Sequence, residues 1–104
     1  MKKILMTAAA AAMMLGAASA SASAETLKAC WVYIGPIGDF GWTYQHHQGL
    51  EAVKADLGDK VETAYAENIP EADSEKTFER FAREGCKIIY GTSFGYMEPM
   101  LKVA

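Results

Sequence analysis

Basic residues are scarce once the first 24 positions are set aside. Lys2 and Lys3 stand there without any acid, and the remaining 80 residues hold 8 basic against 13 acidic side chains, about −5 at neutral pH. With no basic surplus to neutralise phosphates, non-specific nucleic-acid binding is excluded as a first expectation. There are only two cysteines and three prolines, so a disulfide-dense scaffold and a proline-rich or collagen-like chain are excluded as well. The longest apolar run, Ile4 to Leu15, falls short of the ~20 residues that span a bilayer. The acidic stretch 62–84 has no alternating Asp/Asn pattern, so it is not a calcium loop. What is present, 51% hydrophobic and 22% charged residues, is the composition of a soluble globular protein.

The start of the chain reads as an address. Met1-Lys2-Lys3 is followed by the Ile4–Leu15 run and by Ala22-Ser23-Ala24, the order of charge, apolar core and small residues of a cleaved export signal. Cleavage is expected between Ala24 and Glu25. Leu27-Lys28-Ala29-Cys30 faintly resembles a lipid-attachment box, but Lys28 fits it poorly and Cys30 lies 15 residues past the apolar run. Lipid anchoring at Cys30 is not expected. In an exported protein Cys30 and Cys86 can pair if their strands are neighbours. Because cysteine also packs as a small hydrophobe, two separate buried thiols are slightly favoured.

Residues 28–34 form an apolar, β-favouring run ended by Gly35-Pro36. From 42 to 57 the period changes. Tyr44, His47, Leu50, Val53 and Leu57 recur at three and four residues, a helix closed by Gly58. Residues 61–66 alternate as a second strand, and Pro70 breaks the loop after it. Asp73 or Ser74 is expected to cap a second helix carrying Phe78, Phe81 and Ala82 on one face and ending at Gly85. Residues 87–92 give a third strand, and a third helix begins near Glu98. The alternation predicts α/β architecture, a parallel βαβαβα sheet of order two-one-three with helices on both faces. Such a sheet is incomplete, so the expectation is an N-terminal piece of a longer protein with an open third-strand edge prone to aggregation.

In such sheets ligands bind at the carboxyl ends of the strands, here the loops 35–43, 67–72 and 93–98. In the first, Gly35, Gly38 and Gly41 allow tight turns, Asp39 offers an acceptor, and Phe40 and Trp42 offer flat aromatic surfaces. The glycine spacing is not the dinucleotide fingerprint, and no phosphate-loop lysine follows. Gly91-Thr92-Ser93-Phe94-Gly95 matches the G-x-S-x-G of a hydrolase elbow. A secreted serine hydrolase is therefore the alternative, although His46 and His47 precede the serine, the wrong chain order. The simpler expectation is that Ser93 and nearby amides touch a bound solute. His46 and His47, about 100° apart on a helix, cannot comfortably share a metal ion and are expected to be a packing and surface pair. The residues call for no metal, cofactor or catalytic group.

Three stretches, 32–44 (VYIGPIGDFGWTY), 66–71 (AENIPE) and 91–104 (GTSFGYMEPMLKVA), together resemble the basic membrane protein family of ABC-transporter solute-binding proteins. The similarity runs over essentially all of residues 27–104. It implies a type I periplasmic-binding-protein architecture, two α/β lobes closing on a ligand, with this chain as the start of lobe one. It also implies a periplasmic receptor that passes a purine nucleoside or nucleobase to an inner-membrane ABC permease. By position, Trp42 would stack on the purine and Asp39 would accept hydrogen bonds from it. Ser93 and Phe94 would face the cleft, with Phe40 beside Trp42. Thr43 stands where some relatives carry an Asn that touches the base.

Overall fold

The computed structural model describes residues 25–104; the export signal read over 1–24 lies outside the described residues. Strand β1 (Leu27–Val32) leads to helix α1 (Trp42–Leu57), β2 (Val61–Ala66), α2 (Ser74–Arg83), β3 (Ile88–Gly91) and α3 (Met97–Val103). Single 3-10 turns precede β2, α2 and α3. The strands are parallel in the order β2-β1-β3, as the alternation predicts. Beyond β1, neither β2 nor β3 has a second neighbour among the described residues.

The apolar run of β1 explains its central place. A strand with helices on both sides must be apolar on both sides, and Ala29, Cys30, Trp31, Val32 and Tyr33 are all buried. The chain leaves β1 for β2 on one side, then returns across β1 to β3 on the other. Right-handed crossovers in opposite directions put their helices on opposite faces. Accordingly, Leu50 and Val53 of α1 pack on Ala29, Trp31 and Tyr33. Phe78 and Phe81 of α2, with Met100 and Val103 of α3, pack on Cys30 and Val32.

Several local expectations change. Cys30 and Cys86 form a disulfide, not two separate thiols. Cys30 is the fourth residue of β1 and points into the α2 side, and the turn at Gly85 (φ +90°) delivers Cys86 beside it. The bonded Cys30 is 0% exposed. Neither Asp73 nor Ser74 caps α2 by a side-chain bond. A 3-10 turn at Glu71–Asp73 enters the helix instead, and Ser74 Oγ donates back to the Glu71 carbonyl at 2.7 Å. On α1, Leu50 is buried as expected, but Leu57, the last residue of the helix, is exposed.

Candidate functional site

The order β2-β1-β3 has one topological switch point. The chain after β1 goes to α1 on one face and the chain after β3 goes to α3 on the other, and it is between two such loops that ligands of open α/β sheets bind. Trp42 bridges the two loops. Its indole Nε1–H donates to the Thr92 carbonyl at 2.7 Å, while the side chain stays 62% exposed. His46 meets the ring edge-on at 4.8 Å between centroids. Phe40 (85% exposed) and Phe94 (88% exposed) project from the loops on either side.

The first loop is built by Asp39. Its Oδ1 accepts the backbone N–H groups of Gly41 and Tyr44, each at 2.9 Å, and its Oδ2 accepts that of Thr43 at 3.1 Å. These amides, chiefly those of Gly41 and Tyr44, hold its carboxyl below the usual carboxylate range. The same turn places Phe40 at φ +50°, a left-handed conformation uncommon for a non-glycine residue. Thr43 is 1% exposed. Its Oγ1 accepts the Gly35 N–H at 3.2 Å, so it supports the loop from beneath and does not reach the open surface. A Cβ at Gly35 would stand 3.0 Å from that oxygen, which is why the close approach suits glycine.

The second loop ties the first and third together. Glu67 Oε2 accepts the Ile37 N–H at 2.8 Å. Asn68, at φ +56°, donates its N–H to the Gly35 carbonyl at 3.1 Å. Glu71 Oε1 accepts from Ser93 Oγ at 2.7 Å and from the Gly95 N–H at 3.2 Å. Ser93 therefore spends its proton on Glu71, and its backbone is extended (φ −134°, ψ 145°). A nucleophile elbow requires a strained turn, so the hydrolase alternative finds no support in this geometry. His47 is committed elsewhere, with Nδ1 3.2 Å from the Tyr33 hydroxyl and Nε2 3.5 Å from Glu51.

Of the residues singled out in the sequence, Phe40 and Trp42 lie in the loop after β1 and at the start of α1, and Ser93 and Phe94 in the loop after β3, the two loops being linked by the Trp42–Thr92 bond. Asp39 lies among them as a loop builder, and Thr43 lies below. Glu67, Glu71 and Thr92 were not singled out. Their contacts reach across 30, 24 and 50 residues, and no local spacing announces such bonds.

The chain is thus a parallel α/β sheet with exposed aromatic residues in the loops at its switch point. Residues 26–104 match the Bmp family, described as ABC transporter substrate-binding protein PnrA-like, and the chain belongs to that family. It is 54% identical over 95 residues to a purine-binding protein of Brucella abortus (strain 2308), covering 90% of this chain and 27% of that protein. It is 46% identical over 80 residues to a putative ABC transporter glucose-binding protein of Haloferax volcanii, covering 77% and 20%. The chain therefore spans about a quarter of the length of these relatives or less. The fold is also that of an ABC transporter system solute-binding protein from Conexibacter woesei DSM 14684, with a TM-score of 0.67 and 22% identity, over 75% of this chain and 25% of that one.

Proposed function

We propose that residues 25–104 open the first lobe of a two-lobed periplasmic receptor, and that the whole protein delivers a purine nucleoside or nucleobase to an ABC permease. The observation that carries this reading is the set of outward aromatics, Phe40, Trp42 and Phe94, at the switch point. A solute receptor needs flat stacking surfaces and a few placed polar groups, with a second lobe to exclude water. The Trp42 N–H is already bonded to Thr92, so this side chain has only its ring face to offer, which suits a planar base. The purine-binding relative points the same way. The relative described as glucose-binding makes a sugar the reading to be eliminated. The disulfide fits an oxidising extracytoplasmic compartment, in keeping with the export signal.

Calorimetry on the intact protein with adenine, guanosine and inosine, against glucose and amino acids as controls, tests the proposal. Binding of a purine, weakened by Trp42→Ala, is expected. Binding of glucose alone, or of nothing, would overturn the purine assignment. Residues 25–104 by themselves are expected to bind weakly or not at all.

A further inference from the structure

We propose that Glu71 is a positioning residue of this site: it latches the loop after β3 to the loop after β2 and so sets the place of Phe94. The inference rests on the reading of these loops as a ligand site. The two groups that Glu71 Oε1 accepts, Ser93 Oγ–H and the Gly95 N–H, belong to the residues immediately before and after Phe94. Phe94 itself is almost wholly exposed, so little packing holds it. The carboxylate clamp on its two neighbours does.

The anchor for this clamp is rigid. The Glu71 backbone is fixed by Ser74 Oγ, which donates to its carbonyl. Its loop is tied to the end of β1 through Tyr33 N–H to the Ala66 carbonyl and Ile69 N–H to the Tyr33 carbonyl. On the far side, the Tyr96 hydroxyl donates to the Ile69 carbonyl. Gly95 leaves the room the carboxylate occupies, since a Cβ there would fall on the Glu71 side chain. A loop ordered before the ligand arrives spares the cost of ordering it on binding.

Two measurements on the intact protein test the latch, one of them without ligand. By hydrogen exchange, Glu71→Ala should speed exchange of the Gly95 amide at least tenfold and leave the β1 amides unchanged. Glu71→Gln, whose amide oxygen accepts the same two donors, should retain protection. By calorimetry with inosine or guanosine, Glu71→Ala should weaken binding about five- to tenfold. In a Phe94→Ala background it should add less than twofold, because the latch acts through Phe94. Unchanged Gly95 exchange in Glu71→Ala, or losses from Glu71→Ala and Phe94→Ala that multiply in full, would overturn the proposal. If the wild-type protein binds no purine, the functional reading fails, and the exchange measurement still decides the latch.

Discussion

The indole N–H of Trp42 and the carbonyl of Thr92 meet at 2.7 Å although 50 residues separate them. Thr92 is in turn fixed to β1, its N–H and Oγ1 both donating to the Val32 carbonyl at 3.1 and 2.9 Å. The ring of Trp42 is therefore referenced to the central strand through two successive hydrogen-bonded links. The loops on both sides of the switch point share one frame.

Replacing Trp42 separates anchoring from stacking. Trp42→Phe keeps a ring but loses a bond of about 1 kcal/mol, so purine affinity should fall severalfold. Trp42→Ala removes the stacking surface too, a loss of about 1–3 kcal/mol, and should weaken binding by at least tenfold. Titration calorimetry of the intact variants reads both. Equal affinities for Trp42→Ala and wild type would remove this residue from the site.

Gly95→Ala should act on binding more than on stability. The added Cβ strikes the Glu71 carboxylate, the far end of a flexible side chain that can swing away. The thermal midpoint should move by no more than a few degrees, while affinity falls as in Glu71→Ala. Differential scanning calorimetry paired with ligand titration checks this. A large drop in the midpoint with normal affinity at low temperature would contradict it.

The Cys30–Cys86 bond closes a loop with a sequence separation of 56 residues, which on the chain-entropy account contributes about 4 kcal/mol. The Cys30→Ala/Cys86→Ala double variant, or wild type under dithiothreitol, should unfold at markedly lower urea. Cys86 precedes β3, at the opposite end of that strand from Ser93 and Phe94. Ligand affinity of the molecules that remain folded should therefore hardly change. Indistinguishable urea midpoints for oxidised and reduced protein would show the bond to be thermodynamically idle.

Asp39 sets an acid limit on the first loop. Its carboxyl is held below an ordinary aspartate's ~3.9 by the amides of Gly41, Tyr44 and Thr43. A depressed folded-state value means the contribution is complete above the unfolded value and is lost as pH falls through the folded one. The loop should thus be insensitive to pH near neutrality and loosen only below about pH 4. Carboxyl-carbon NMR should place the Asp39 midpoint below that of a model aspartate, and Asp39→Asn should remove the transition. A midpoint at or above the ordinary value would refute the hold of these amides on Asp39.

Periodicity and burial logic carried the architecture. The unbroken apolar run around Trp31 announced a strand, the three-and-four spacing through Leu50 announced α1, and alternation announced β2. These features are local, and local patterns are read along the chain. The resemblance over residues 27–104 likewise lay in short ordered motifs, later matched by the family over 26–104. The folded chain alone decided that Cys30 meets Cys86, that Thr43 turns inward, and that Glu71 clamps the neighbours of Phe94. It also put the donor of Trp42 on Thr92. Apart from the Thr43–Gly35 bond within the first loop, each of these is a contact between segments that only the crossover topology brings together. A side chain's type states what it can bond, and the fold states which partner stands within reach.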